Sequence, residues 1–301
     1  MSANNLRVIY NNLVDVATTT VTASSSAQPV ANLLVDYKSK VWRSSTCTTS
    51  AVKIHLKVEL SSAVIGGIVL PFTNLTSAAT IRIYGYTGTA PTIGGGTVDA
   101  PTFTAGTTLV FDTGAGVLAC PYQSPSLWTL GTTPIGTNMY AYGGGTYARA
   151  YIPLGMQAAC TSMVIEITDT NADKYIEAGR LIVGQYWSPK YNTSFGMTAN
   201  IKDTSTNART VAGDSVPTRG PRSNVINFDL KFMDTGDRSK LYELLRSGGI
   251  SKPLFVSLFP ENSADYDLEQ LYQVYGRPTQ LSAIQYANFL QYSSQLELEE
   301  V

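Results

Sequence analysis

The segment KIHLKVEL, from Lys53 to Leu60, alternates polar and apolar residues without interruption. Because successive side chains of a β-strand point to opposite faces of its sheet, this pattern predicts a strand with one face in solvent and the other in a hydrophobic core. The single histidine of the chain, His55, falls on the polar face between two lysines, where we expect it to be solvated. The segment therefore predicts a half-buried β-strand and assigns both of its faces.

Similar short runs flank this segment on both sides, with turn residues between them. Strands are predicted at residues 64–70, 80–86, 162–168, 180–186, 225–233, 253–260, 271–275 and 289–298. A series of short strands separated by turn residues is typical of a β-sandwich or a β-barrel. The predicted fold class is therefore mainly β.

The composition agrees with this prediction and excludes several classes of protein. The 301 residues are 44% hydrophobic and only 14% charged, with 25 glycines and 18 tyrosines, a mixture suited to strands and turns. The formal net charge of -1 provides no basic field to gather phosphates, so we expect no nucleic-acid partner. No apolar run approaches the roughly 18 residues of a membrane helix, and the N-terminus has no recognisable secretion signal, so we expect no membrane span.

Changes in the sequence pattern predict three parts. Residues 1–26 combine a weak strand pattern at 6–10 with the polar tract TTTVTASSS, and we interpret them as an N-terminal arm. Residues 27–187 form the predicted β-sandwich, with a long glycine-rich insertion at 87–159 that we interpret as loops reaching a ligand or a partner. Residues 188–301 form a smaller α+β domain.

One helix is predicted in this C-terminal domain, at about residues 236–247. Asp234 or Thr235 can cap its N-terminus, because their side-chain oxygens accept hydrogen bonds from the first free backbone N–H groups. Its apolar stripe consists of Leu241, Leu244 and Leu245. Two glycines follow the stripe and predict where the helix ends.

The N-terminal arm lacks the turn residues that would fold its strand back into a tight hairpin. A lone strand leaves its backbone hydrogen-bonding groups unpaired, so we expect it to add to the edge of a sheet. We expect that edge to belong to a neighbouring chain, because the subunits of a ring gain contacts in this way.

The chain offers little to a catalytic mechanism. His55 has no orienting acid beside it in the sequence, and no nucleophile motif of the GxSxG type is present. The three cysteines, Cys47, Cys120 and Cys160, have no CxxC spacing, and we interpret them as buried, reduced thiols. We therefore expect no enzymatic activity and no cofactor.

A weak metal candidate lies at Asp169, Asn171 and Asp173, whose alternate spacing resembles the opening of a calcium loop. An EF-hand is excluded, because Lys174 and Arg180 stand where that loop needs glycine and glutamate. The alternative is an ordinary turn rich in aspartate and asparagine. We expect no bound metal.

Aromatic residues in the glycine-rich insertion are the remaining candidates for a surface role. They are Trp128, Tyr140, Tyr142 and Tyr147. Such rings stack on sugars or anchor protein interfaces, and they also pack in cores. Three interpretations therefore stay open: a glycan site, a protein interface, and rings that pin the loops to the sandwich.

Several short motifs resemble a known family. They are VWRS at 41–44, LPFTNL at 70–75, GRLIVG at 179–184 and the closing LELEE at 296–300. They resemble tail-tip, distal-tail and baseplate structural proteins of tailed bacteriophages that carry a discoidin-like, galactose-binding-type β-sandwich of jelly-roll form. The resemblance extends over roughly residues 30–300.

The resemblance implies a virion protein of the phage tail, assembled in the host bacterial cytoplasm, that binds other phage tail proteins and forms a homo-oligomeric ring. With no catalytic set in view, it leads to our first hypothesis, a structural subunit that mediates contacts between chains. The alternative is a receptor-binding module that grips host-surface carbohydrate through the tyrosine- and glycine-rich loops. A depolymerase is disfavoured because no acid and base pair is evident.

Overall fold

The chain is mainly β, as predicted, in a computed structural model that describes residues 5–114, 117–118, 140–141, 145–262 and 265–301. The strands of the first half are β1 (Arg7–Ile9), β2 (Thr20–Ala23), β3 (Trp42–Arg43), β4 (Ala51–Val64), β5 (Gly67–Thr73), β6 (Thr80–Thr87), β7 (Thr92–Gly96), β8 (Pro101–Thr104), β9 (Thr108–Asp112), β10 (Val117–Leu118) and β11 (Thr146–Tyr151). Those of the second half are β12 (Ala159–Thr170), β13 (Glu177–Ala178), β14 (Ile182–Gly184), β15 (Thr198–Asp203), β16 (Thr206–Arg209), β17 (Ser215–Thr218), β18 (Arg222–Met233), β19 (Leu254–Ser257), β20 (Gln273–Pro278), β21 (Gln285–Asn288) and β22 (Gln291–Glu300). The two helices of the described residues are α1 (Thr235–Gly248) and α2 (Tyr266–Leu271).

In the described part of the chain these strands build three large antiparallel sheets. The six-stranded sheet has the order β10-β6-β12-β4-β2, with β9 also paired to β6. The five-stranded sheet has the order β11-β5-β13-β3, with β14 also paired to β5. The seven-stranded sheet has the order β1-β19-β20-β22-β18-β15, with β21 also paired to β22. The pairs β7–β8 and β16–β17 form separate hairpins.

The first hydrophobic core lies between the six-stranded and the five-stranded sheet, which together form a β-sandwich. Ile54 and Leu56 of β4 belong to this core with Ile68 and Leu70 of β5. The apolar face predicted for residues 53–60 is therefore confirmed, because the apolar residues of that segment are buried here. Burial of such side chains is the main favourable term in folding.

The opposite face of the five-stranded sheet is also buried, because the seven-stranded sheet covers it. Val69 of β5 and Ile182 of β14 lie in one cluster with Ile9 of β1 and Phe255 of β19. All seven residues of β5 are buried. The five-stranded sheet is thus the middle layer, and we call its boundary with the seven-stranded sheet the seam.

The other face of the seven-stranded sheet is covered by α1. Leu241 of the helix packs in one core with Phe228 of β18 and Leu298 of β22. The side chain of Asp234 caps the helix by accepting a hydrogen bond from the N–H of Asp237 at 2.8 Å. Both the predicted helix and its predicted cap are confirmed.

The second helix, α2, was not predicted from the sequence. Asp265 caps it by accepting a hydrogen bond from the N–H of Leu268 at 3.0 Å. The helix has only six residues, too few to show an apolar periodicity. Within the described residues, neither helix is long and apolar enough to cross a membrane.

The expectation that the N-terminal arm pairs with a neighbouring chain is wrong. β1 pairs with β19 and β2 pairs with β4, so both strands of the arm belong to sheets of their own chain. Leu6 and Val8 are buried in the core beneath α1, and Ile9 is buried at the seam. One physical reason is that β1 can hydrogen-bond to the edge of β19. The other is that its apolar side chains are buried in a hydrophobic cluster on each face of the sheet.

The prediction that residues 87–159 are a loop insertion is wrong for several of its described residues. β11 is a strand of the five-stranded sheet, and Ala148 and Ala150 lie in the first core. Because both faces of β11 are buried, its sequence TYARAY does not alternate polar and apolar residues, which hid the strand. Nearer its start, the β7–β8 hairpin lies against β4.

We expect Leu6→Ala to lower the free energy of unfolding by about 2–5 kcal/mol, because it removes a buried side chain and leaves a cavity. The matched control is Leu154→Ala, whose side chain is 75% exposed. We expect it to change the free energy of unfolding by less than about 0.5 kcal/mol. Urea unfolding measures both variants, and equal stabilities would contradict the burial of the arm in its own chain.

Candidate functional site

Two of the tyrosines predicted as surface contacts are buried at the seam. Tyr140 is 1% exposed and Tyr147 is 5% exposed. The Tyr140 hydroxyl donates a hydrogen bond to Glu177 at 3.0 Å, and the Tyr147 hydroxyl donates one to Glu300. Of the three interpretations that stayed open, the burial of these two rings supports the third, in which they pin their segments to the sandwich, and contradicts a contact at the surface. The other two predicted rings lie outside the described residues: Trp128 and Tyr142.

The burial of Tyr147 follows from the layer that covers it. Its ring centroid lies 5.7 Å from that of Phe72 in the five-stranded sheet and 6.2 Å from that of Phe255 in the seven-stranded sheet. Burial and the neighbouring Glu300 raise the pKa of Tyr147 well above its ordinary value. The hydroxyl therefore stays protonated and donates a hydrogen bond to a buried carboxylate.

A buried ion pair crosses the same seam. The guanidinium of Arg149 in β11 donates two hydrogen bonds to the carboxylate of Glu269 in α2, at 2.7 and 2.9 Å. Both side chains are almost completely buried. The carboxylate also accepts a hydrogen bond from the N–H of Asn262 at 3.2 Å. The position of α2 is thus fixed by a two-point contact with the middle sheet.

We expect Arg149→Met to lower the free energy of unfolding by about 3–5 kcal/mol, because it leaves the Glu269 carboxylate buried without its partner. The double variant that adds Glu269→Gln removes the unpaired charge, so we expect it to regain part of the loss. A double-mutant cycle by urea unfolding measures the coupling. Additive single effects would contradict a direct coupling of the two side chains.

A third polar group at the seam surrounds Arg180. The guanidinium forms ion pairs with Asp15, which follows the N-terminal arm's first strand, and with Asp36 at 3.0 Å. It also donates to the carbonyl of Leu33 at 3.2 Å. The Tyr275 hydroxyl donates to Asp36 at 2.7 Å. These partners come from three parts of the chain and tie them together, which is a structural role.

The weak metal candidate is a hydrogen-bonded turn. The Asp169 carboxylate accepts from the N–H and the hydroxyl of Thr76. The Asn171 side chain accepts from the N–H of Asp173 at 2.8 Å, as in an Asx turn, and donates to the carbonyl of Asn74 at 3.0 Å. Among the residues that the structure describes, no group of three or more His, Cys, Asp or Glu side chains is arranged to hold a metal ion.

The prediction that His55 is solvated is wrong. Its side chain is buried, and its Nε2 lies 3.0 Å from the carboxylate of Glu166 on β12. The β7–β8 hairpin covers it, with the Phe103 ring packed edge-on at 5.2 Å between ring centroids. Lys53 pairs with the same carboxylate at 2.9 Å. The polar face of β4 is therefore partly closed by a later hairpin that the strand pattern could not reveal.

The hydrogen bond from His55, together with Lys53, lowers the pKa of Glu166 from 4.5 to about 2. A carboxyl group whose pKa is lower in the folded state stabilises the fold above its unfolded pKa and loses that contribution as the pH falls toward the folded value. We expect the stability difference between the wild type and Glu166→Gln to shrink as the pH falls from 5.5 through 4.5 toward 2. Urea unfolding at several pH values measures this difference, and a constant difference would contradict it.

Two of the three cysteines are buried free thiols, as predicted: Cys47 and Cys160. Burial raises the pKa of each thiol to about 11. A thiol with this pKa stays protonated at neutral pH and is a poor nucleophile. Cys120 lies outside the described residues.

An open groove of about 780 Å³ lies between α1 and the strands β21 and β22. Tyr242 of α1 and Tyr286 of β21 line it and are each 59% exposed. Tyr292 of β22 also lines it, with its ring centroid 5.1 Å from that of Tyr286. Two arginines of α1, Arg238 and Arg246, also line it, together with Ser239, Leu245, Leu281, Ser282 and Ile284. We call this surface the tyrosine groove.

A second groove, of about 450 Å³, meets the tyrosine groove at Leu281 and Ser282. Most of its other lining side chains carry amide or hydroxyl groups: Gln280, Gln285, Ser293, Ser294 and Gln295. Asp229 and Lys231, whose charged groups lie 3.8 Å apart, also line it. Ser294 is buried, and within the described part of the chain its hydroxyl has no hydrogen-bond partner. We call this surface the amide groove.

Neither groove was predicted from the sequence, although one signal was present. Arg238, Tyr242 and Arg246 recur at intervals of four along the predicted helix, so they share one side of it. This side adjoins the leucine stripe, and Leu245 of the stripe also lines the groove. The strands that face it come from the C-terminal end of the chain, and their pairing could not be deduced from helix periodicity.

A hairpin formed by residues 204–221 extends from the seven-stranded sheet, and we call it the projecting hairpin. Every residue of its two strands, β16 and β17, is exposed, and Val211 at its tip is fully exposed. The two strands pair antiparallel, with Thr206 opposite Thr218 and Arg209 opposite Ser215.

No protein-family model matches the chain. No curated protein is significantly similar to it in sequence. Similar solved structures include the family 32 carbohydrate-binding module of NanJ from Clostridium perfringens in complex with galactose, which is 12% identical and has a TM-score of 0.33. That similarity covers 58% of this chain and 98% of that chain.

Two further similar structures are also those of carbohydrate-binding proteins. One is chitosan-binding module 1 of a chitosanase/glucanase from Paenibacillus sp. IK-5, which is 14% identical and has a TM-score of 0.34. The similarity covers 60% of this chain and 100% of that module. The other is the lectin domain of lectinolysin complexed with Lewis B antigen, which is 7% identical and has a TM-score of 0.30. The similarity covers 58% of this chain and 96% of the lectin domain. At these identities and TM-scores, the similarities assign no function to this chain.

Proposed function

We propose that the chain is a non-catalytic structural subunit that contacts other protein chains through its C-terminal domain. The observation that carries this proposal is the projecting hairpin. An isolated two-stranded hairpin is only marginally stable in water, so a partner surface that packs against it stabilises its ordered form. The hairpin is therefore suited to reach over a neighbouring chain.

Large apolar side chains are exposed along the same part of the chain. Phe195 and Val211 are fully exposed, and Ile201 and Val216 are largely exposed. Burying such side chains contributes roughly 25 cal/mol for each Å² of apolar surface removed from water. These side chains support a protein contact along the projecting hairpin and its base.

The finer part of the proposal is a place in the tail tip or baseplate of a bacteriophage, as a homo-oligomeric ring that binds other tail proteins within the virion. Its support is the resemblance of the motifs at 41–44, 70–75, 179–184 and 296–300 to phage tail proteins. None of the similar structures named above is a phage protein. This part therefore rests on the sequence motifs.

We expect the wild-type chain to form an oligomer and a shortened variant to lose it. The variant replaces residues 205–220 by Asn-Gly, which closes the hairpin base with a two-residue turn. Because the side chains of β16 and β17 are exposed, we expect the melting temperature of the dissociated chain to stay unchanged. Light scattering coupled to size-exclusion chromatography measures the mass, and differential scanning fluorimetry measures the melting temperature.

The matched pair of point variants is Val211→Ser on the projecting hairpin and Leu109→Ser on the exposed side of β9. We expect only the first to weaken assembly. A monomeric wild type, or an oligomer that survives the deletion, would contradict the proposed role of the hairpin. The phage assignment is examined separately by mass spectrometry of purified virions, in which the chain must be present.

A second candidate function is carbohydrate binding, and the tyrosine groove is the observation that favours it. Exposed tyrosine rings beside arginine and serine side chains provide stacking surfaces together with hydrogen-bonding groups. The similar structures named above are carbohydrate-binding proteins, but at their TM-scores the candidate rests on the groove and not on them.

A further inference from the structure

We propose that the tyrosine groove and the amide groove together bind an acidic oligosaccharide, a chain of sugar rings that carries carboxylate groups. The inference rests on the second candidate function and names both the site and the class of ligand. The two grooves adjoin at Leu281 and Ser282, so one extended ligand can occupy both. Their volumes lie in the range of small-ligand sites, about 300–1,000 Å³.

The first argument is the exposure of the aromatic rings. Tyr242 and Tyr286 come from a helix and from a strand, and more than half of each side chain is exposed to solvent. The face of an aromatic ring carries partial negative charge, which attracts the C–H groups on the face of a sugar ring. Two such rings in one groove provide stacking positions for more than one sugar.

The second argument is the sign of the charge. The guanidinium of Arg238 lies 4.7 Å from the ring centroid of Tyr292 and donates to its hydroxyl at 2.9 Å, so its position is fixed. Arg246 lies two helical turns further along α1 and is exposed. The described residues that line the tyrosine groove include no carboxylate, and Asp229 of the amide groove lies 3.8 Å from the amine of Lys231, which offsets its charge. An uncompensated pair of guanidinium groups selects an anionic ligand.

The third argument is the chemistry of the amide groove. Glutamine side chains both donate and accept hydrogen bonds, as sugar hydroxyls do, and three of them line this groove. The amide groove therefore matches the hydroxyl-rich edge of an oligosaccharide.

An acidic peptide is the competing ligand, and the lining of the groove disfavours it. A peptide helix docks by placing apolar side chains in aliphatic pockets. Leu245 at the floor of the tyrosine groove is buried, and Leu281 is its one largely exposed aliphatic side chain among the described lining residues. The rest of the exposed lining consists mainly of rings, guanidinium groups and hydroxyls, which suit a sugar.

Isothermal titration calorimetry on the full chain tests the proposal with three acidic probes: tetragalacturonate, tetramannuronate and sialyllactose. Each is paired with a neutral counterpart, the methyl esters of the first two and lactose for the third. We expect at least one acidic probe to bind about tenfold or more tightly than its counterpart, and added salt to weaken that binding. Hexaglutamate serves as the peptide probe.

Exposed positions provide variants that are expected to fold. We expect Arg246→Gln and Tyr242→Ala each to weaken binding of the acidic probe by about tenfold or more. The matched controls are Arg209→Gln on the projecting hairpin and Tyr191→Ala, both exposed and away from the grooves. We expect neither control to change the affinity, and thermal melting confirms that all four variants are folded.

The possible results separate this inference from the function on which it rests. If neutral and acidic probes bind equally and Tyr242→Ala abolishes both, the chain binds carbohydrate but the acidic class is wrong. If no probe binds, both the inference and the carbohydrate candidate are wrong. If hexaglutamate binds as tightly as the acidic sugars and the same variants remove it, the groove is a peptide site and the inference is wrong.

Discussion

The burial of both faces of the five-stranded sheet is the constraint on which the rest of the molecule depends. β5 has no residue in solvent, so each of its faces needs a cover. The six-stranded sheet supplies one cover and the seven-stranded sheet supplies the other. Sheets buried on both faces are usual in α/β proteins, where helices cover them, whereas here two further sheets do so. The two predicted domains therefore share an apolar boundary.

Several buried polar side chains at the seam are paired with a partner from another part of the fold. Arg149 meets Glu269 with two hydrogen bonds, and Tyr147 donates to Glu300. Breaking a buried pair is costly even where the pair itself adds little net stability, so such contacts fix how two layers fit together. These paired groups therefore have a structural role. Ligand contacts are left to the outer surfaces, where the grooves beside α1 and the projecting hairpin lie.

The elements that could be predicted from the sequence are those with one side in the core and the other in solvent. The alternation at 53–60 and the helix with its Asp234 cap were predicted, because each shows its buried side against a polar one. β11 and the position of Tyr147 were not, since a strand with two buried faces has no such contrast. The burial of His55 was missed for a related reason: Phe103 covers it from a hairpin far along the chain. The grooves depend on which strands meet α1, and pairing over long distances leaves no local signal.

The position of β1 has a consequence for the order in which the protein folds. Arg7 pairs with Ser257, so β1 leaves the ribosome long before its partner strand is made. Contacts between residues so far apart in sequence close late, because the loop entropy must be overcome first. Until then Leu6 and Val8 remain uncovered on the nascent chain, where exposed apolar side chains are open to chaperones and to aggregation. β1 is thus synthesised well before β19 but can join its sheet only after β19 has been made.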